Sequence, residues 1–415
     1  MVLPERIDDI ITDPKTYGDE AAYHEAFSAL RSHDPVHWTD PSDYRPFWAV
    51  TRHEDIQRVE LDAKTFANEP RQFLVTEKDE EMLLEATGSR NFAYNLVSMD
   101  NPDHRLYRGL TSAWFGPKRV RSLEDEIRLL ARETVDKLIE SGGACDFAKD
   151  IAAWYPLRTI MIVLGVPRED EPLMLQLSQK LFGNTDVDTG GGDGMASMVA
   201  AKQRFCEYFD ELTADRRLNP RDDVATLLAT ATIGDQPMEE GPRNDYYLIV
   251  AAAGHDTTSS AISGGMLALL QNPEEMAKLR ADHALIANGV EEFIRWTSPV
   301  KHFFRTARED CEVGGKYISA GDALMMCYPS ANRDEKVFAD PFEFRVERAE
   351  AKRHLAFGYG PHTCLGNHLA KLEIRILYEE IFSRIADIDL NGDPAWIEAN
   401  FVSGLKRLPI SFTPK

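Results

Sequence analysis

A chain of 415 residues, 43% hydrophobic and 28% charged, holds ample material for a sizeable core. No Pro-, Gly- or Ser-rich linker divides it, so one large domain over 1–415 is expected, and no repeat of fixed period is present. A formal charge of −22 and a pI of about 5.0 exclude general affinity for nucleic acid or anionic membranes outside a local basic patch.

The N-terminal MVLPERIDDIITDP lacks the apolar core of a signal peptide. Five scattered cysteines are odd in number and unlike a disulfide framework. Together these features predict a cytoplasmic protein.

Short strands are expected first, at PVHW (35–38) and FWAVT (47–51), where aromatic and β-branched residues gather. From Pro102 the pattern turns helical. Leu123, Ile127, Leu130, Val135 and Leu138 recur at helical spacing, and Gly142-Gly143 closes that helix. An apolar helix over 151–165 ends at Gly165-Val166-Pro167, and another begins near Glu169. The glycine-rich GNTDVDTGGGDG (183–194) reads equally as the hinge of a mobile lid or as a surface insertion.

After it, Met198, Phe205, Phe209 and Leu212 mark a helix with one apolar face. Residues 245–270 predict a single buried helix of about 25 residues, roughly 38 Å long. Its polar centre, His255 and Asp256, suits burial in protein better than in lipid. EEFIRW is helical, KYISAGDALMM reads as strand, turn and strand, and LPISF as a last strand. The fold class is mainly α with a minor β region.

Chemistry concentrates in AFGYGPHTCLGNHLA (356–370). Gly358, Gly360 and Gly366 let the backbone approach the sulfur of Cys364 or a flat ligand. The helix starting at Leu369 adds its positive end, which favours a thiolate. Three readings stand: zinc held by His362, Cys364 and His368; haem iron, which needs one thiolate; and an inert buried cysteine. A second constellation is AAGHDTT (252–258). Ala253 and Gly254 are small enough to admit something bulky, and Asp256 and Thr257 place an acid beside a hydroxyl. Asp, Thr and Ser in a row that simply cap a new helix are the competing reading.

The string FGYGPHTCLGNHLA resembles the haem-ligand signature of the cytochromes P450, FGxGxHxCxGxxLA, at every fixed position. AGHDT is similar to that family's [AG]GxDT motif, and Glu292–Arg295 to its ExxR. Further stretches such as MDNPDHRLYRGLTSAWF and YPSANRDEKVF extend the likeness along nearly the whole chain, toward the soluble bacterial class and its terpineol-hydroxylating members.

The resemblance implies a cytochrome P450 fold and heme b with Cys364 as its axial thiolate. It implies Asp256 and Thr257 as the acid–alcohol pair that handles dioxygen and its protons. His104, Arg108, Arg305 and His362 become propionate partners, and Glu292, Arg295 and Arg348 a structural trio. Ala253, Val300, Phe303, Phe401 and Val402 become pocket residues, while His255 is structural. The expected partners are O2, a small apolar substrate (a terpene, alkylbenzene or aromatic hydrocarbon) and an iron–sulfur ferredoxin served by an NAD(P)H-dependent reductase. No nucleic acid or membrane partner is expected. The ferredoxin is expected on the Cys364 side, at a patch of Arg105, Arg108 and Lys371. A haem-thiolate sensor and a peroxide-driven hydroxylase are the rival activities; neither has a use for the acid–alcohol pair.

Overall fold

The computed structural model describes residues 6–90, 92–181 and 194–415; the glycine-rich stretch up to residue 193 lies outside them. Asp19 caps the first long helix, α1 (Glu20–His33), accepting from the N–H groups of Ala21 and Ala22. Then follow α2 (His53–Leu61), α3 (Asp103–Thr111), α4 (Glu124–Glu140), α5 (Trp154–Leu164) and α6 (Glu171–Leu181). The later long helices are α7 (Gly194–Leu218), α8 (Glu240–Ala253), α9 (Asp256–Gln271), α10 (Ile286–Thr297) and α11 (Asn367–Arg384).

The strands that matter here are β1 (Val36–Thr39), β2 (Phe47–Val50), β3 (Phe66–Ala67), β4 (Ala144–Asp146) and β5 (His302–Ala307), then β6 (Cys311–Val313), β7 (Lys316–Ile318), β8 (Ala323–Cys327), β9 (Ile385–Leu390) and β10 (Pro409–Pro414). One sheet has the order β1-β2-β8-β5-β3, with β8 parallel to β2 and antiparallel to β5. Met325 therefore lies between Ala49 and Phe304. A smaller sheet, β9-β10-β4, pairs Ile388 with Phe412 and Ile410 with Cys145.

The KYISAGDALMM segment does form two strands, but they do not pair with each other. β7 folds back on β6, while β8 enters the large sheet. The reason lies in burial. Leu324, Met325, Met326 and Cys327 are all buried, and a continuous apolar run belongs at a sheet centre. Tyr317 of β7 is exposed.

The central helix corrects the expectation of one continuous rod. α8 begins earlier, at Glu240, and stops at Ala253; α9 begins at Asp256, with Gly254 and His255 between them. Hydroxyls compete for the backbone on both sides of the break. Thr257 Oγ1 donates to the Ala253 carbonyl and Ser260 Oγ to the Asp256 carbonyl, each at 2.8 Å. The His255 ring turns aside toward the Ala153 carbonyl, 2.8 Å from its Nε2.

Below the break α9 is buried on all sides, as its composition requires. It packs on α10 and α11, and Tyr378 of α11 donates its hydroxyl to the Ile262 carbonyl at 2.7 Å. α9 starts at the acid–alcohol pair and α11 starts at the cysteine loop. Two packed helices thus bring two distant motifs into one region.

Candidate functional site

The cysteine loop is closed by the Cys364 N–H, which donates to the Phe357 carbonyl at 2.8 Å. Gly360 has φ +67, and a Cβ there would lie 2.6 Å from the carbonyl oxygen of Glu60 in α2. This glycine lets the loop pass α2; it does not admit a flat ligand, contrary to the sequence-based expectation. Gly358 likewise faces Glu60 and Tyr328, and of the three only Gly366 opens on empty space. Gly360→Ala is expected to lower the unfolding free energy by about 3 kcal/mol, from left-handed strain plus overlap. A reduced denaturant midpoint measures it.

Burial pushes the Cys364 thiol up. Against that act the N–H of Gly366, the charges of Arg108 and Lys371, and the N–H of Asn367. Although it lies deep in the protein, Cys364 keeps part of its surface accessible. It therefore faces an internal opening. The zinc trio is not assembled. The His362 ring stacks on His104 at 3.8 Å, and its Nε2 accepts from Asn68 Nδ2 at 2.8 Å. Among the described residues no cluster of His, Cys, Asp or Glu is arranged to hold a metal ion by itself.

Around that opening four basic groups crowd together. His104 and Arg108 come from α3, Arg305 from β5 and His362 from the loop. Arg108 Nη2 donates to the Thr363 carbonyl at 2.6 Å. Arg305 reaches Glu60 Oε1 at 3.1 Å, which also accepts the Tyr328 hydroxyl at 2.7 Å. Burial pushes His362 down to about 2, with Arg305, His104 and Arg108 adding to the effect. Burial and then Arg108 push His104 down to about 4. His104 Nε2 is buried without a partner. Bases that depress one another, with one donor atom unsatisfied, are a cradle lacking its anion. Two buried carboxylates such as the propionates of haem fit that deficit.

Beside the loop, Glu292 and Arg295 form a two-pronged pair, both bonds at 2.7 Å and both residues 0% exposed. Arg348 Nε joins Glu292 at 3.1 Å, and the Arg345 N–H adds a bond at 3.0 Å. Arg348 also holds the carbonyls of Asp340 and Glu343, and Arg295 those of Asn332 and Pro341. The trio read from sequence is thus contiguous and ties the 332–348 segment to α10.

At the break in the central helix, Ala253 is exposed although Ala251 and Ala252 are buried. Its methyl is left uncovered at the break. Gly254 is different: a Cβ there would lie 2.9 Å from Ile160 of α5, so its smallness serves helix packing. Asp256 and Thr257 both keep accessible surface. Val300 bridges Val402, and Phe303 meets Phe401 at 5.4 Å. Phe73, which the sequence does not single out, stacks on Phe401 at 4.9 Å. Glu60, Asn68 and Asp100, whose carboxylate accepts from Asn68 Nδ2 at 2.9 Å, were missed as well. Asp100 stands inside the MDNPDHR motif and was within reach; Glu60 and Phe73 carry no local signal.

The Cytochrome P450 family profile matches residues 198–386. Cytochrome P450-terp of a Pseudomonas species is 41% identical over 421 residues, covering 99% of this chain and 98% of that one. This chain belongs to the cytochromes P450. Linalool 8-monooxygenase of Pseudomonas putida is 32% identical over 98% of this P450 and 99% of its own length. The crystal structure of CYP108D1 from Novosphingobium aromaticivorans matches with a TM-score of 0.94 and 41% identity, covering all of both chains.

As a family member the P450 is a haem-thiolate monooxygenase that takes haem b, O2 and electrons from a redox partner. Among its described residues no helix is long and apolar enough to cross a membrane. The expected basic patch needs correction. Arg108 is turned inward onto Thr363, and Lys371 reaches Glu291 at 3.3 Å. Arg105 remains exposed.

Proposed function

We propose that this P450 hydroxylates a C–H bond of a small apolar molecule: a terpene, an alkylbenzene or an aromatic hydrocarbon. The observation that carries this reading is the wall of Phe73, Val300, Phe303, Phe401 and Val402, apolar throughout and partly accessible where its neighbours are buried. Such a wall recognises shape and offers no charge to a polar ligand. Relatives support the size class. One is named for linalool, and the P450 of Mycobacterium marinum solved with pseudoionone is 32% identical with a TM-score of 0.89.

In this reading the Cys364 thiolate would hold the haem iron, and His104, Arg108, Arg305 and His362 would hold the propionates. Bound there, thiolate-ligated haem supplies the oxidising chemistry. The chain does the rest. Ala253, small and exposed, leaves room for substrate, the apolar wall orients it and excludes water, and Asp256 and Thr257 carry protons to the site. Electrons come from an iron–sulfur ferredoxin with its NAD(P)H-dependent reductase. Its docking face is formed by exposed Arg105, Lys118 and Arg121, the last two on a short helix packed against α11. Five unpaired cysteines suit a cytoplasmic location.

The test is a panel of monoterpenes, alkylbenzenes, steroids and polar ligands, read by the optical shift that follows loss of water from the haem. Small hydrocarbons are expected to respond. Silence from all of them with a response to steroids refutes the substrate class. A shift with no product, when ferredoxin, reductase and NADH are supplied, indicates a sensor.

A further inference from the structure

His255 has no part in the reading above. It is 1% exposed, at the break between α8 and α9. Its Nε2 lies 2.8 Å from the carbonyl oxygen of Ala153, just before α5. A carbonyl only accepts, so Nε2 carries a hydrogen. Its Nδ1 lies 3.0 Å from Asp256 Oδ1, close enough for an ion pair though not aligned as a hydrogen bond.

A neutral ring donating through Nε2 would turn the lone pair of Nδ1 on a carboxylate. Two arrangements avoid that repulsion: imidazolium with carboxylate, or neutral ring with carboxylic acid. Each leaves the pair with one proton, on Nδ1 or on Oδ1. Burial pulls His255 down, but Asp256 and the Ala153 carbonyl more than offset it, and the net shift is upward. Asp256 is the one charged group among the described residues that acts on the ring. The carbonyl on Nε2 and the carboxylate beside Nδ1 both favour the imidazolium.

We infer that His255, as an imidazolium, is a positioning residue that fixes the Asp256 carboxylate and stores the proton Asp256 passes toward Thr257. This inference rests on Asp256 being the proton carrier. In the transfer the Nδ1–H bond breaks and an Oδ1–H bond forms. The pair is neutral overall before and after this step, and it carries one negative charge only between donation to water and reprotonation from solvent. The Asp256 side chain is 35% accessible against 2% for His255, so the acid can give its proton to water beside the Thr257 hydroxyl. Solvent then reprotonates the pair through Asp256. The Nε2–H stays on Ala153 throughout.

The test uses haem-loaded protein labelled with 15N-histidine, reduced and saturated with carbon monoxide. The His255 signals are assigned by their loss in His255→Asn. Near pH 7 both ring nitrogens are expected to carry protons in the parent protein, and only one in Asp256→Asn. Because the folded-state pKa is raised, the pair's contribution to stability is full below about pH 6.5 and is lost as pH rises through the folded value. The melting difference between parent and His255→Leu should shrink over that window.

In turnover, product formed per NADH should fall severalfold in His255→Leu, and its pH profile should move. His255→Asn, which keeps a donor, should recover part of the loss. A neutral His255 ring near pH 7 in the parent overturns the inference, whether or not the leucine variant folds. So does a leucine variant with unchanged product ratio and pH profile. A protonated ring together with full coupling in Asp256→Asn overturns instead the role of Asp256.

Discussion

Cys364→Ser is expected to abolish monooxygenation while leaving a protein that still folds. The loop is held by bonds that do not involve the sulfur: Cys364 N–H to the Phe357 carbonyl, and Asn367 Nδ2 to the Cys364 carbonyl at 2.7 Å. The basic cradle is untouched as well. What is lost is the anion. Burial disfavours a charged group here, and the donors of Gly366 and Asn367 with the charges of Arg108 and Lys371 counter it only in part. A thiol starts within reach of ionisation, and a bound cation completes it. A serine hydroxyl, far less acidic, has no such path. The measurement is the reduced, carbon monoxide-treated spectrum. The parent should show the red-shifted Soret band of a thiolate-ligated haem and the serine variant should not. A variant that keeps that band would refute Cys364 as the ligand.

Glu292→Ala should cost about 5 kcal/mol, the upper end of what breaking a buried ion pair costs. The carboxylate serves Arg295, Arg348 and the Arg345 N–H together. Its removal leaves two guanidiniums, 0% and 4% exposed, without a counter-charge. That loss is comparable to the whole stability of a typical domain. Little soluble, haem-loaded protein is therefore expected, with haem content and melting temperature as readouts. Glu292→Gln keeps the shape and some of the bonds, and should fall between the two. An alanine variant that melts within a few degrees of the parent would show that the trio does not hold this core.

Both outcomes were partly legible before any coordinates. The cysteine loop could be read because its parts are neighbours in the chain: the glycines, the thiol and the following helix act over a dozen residues. The acid–alcohol pair and Glu292–Arg295 are equally local. Arg348, which the family pattern marked only loosely, meets Glu292 from 56 positions away.

The rest depends on segments that meet only on folding. Asn68 contacts His362 across 294 positions of chain, and Arg305 contacts Glu60 across 245. No periodicity or spacing records such contacts, since each partner sits in a segment whose local pattern is ordinary. The break at Gly254–His255 is similar. The Asp-Thr-Ser run marks a place where a new helix could begin, but the Ala153 carbonyl, 2.8 Å from His255 Nε2, comes from a segment 102 positions away. The chemical identity of the centre is thus written in short contiguous strings, where backbone geometry and side chains act directly on each other. The counter-charges, the pocket wall and the pairing of His255 with Asp256 come from packing, because long-range contacts are selected by shape and charge in three dimensions.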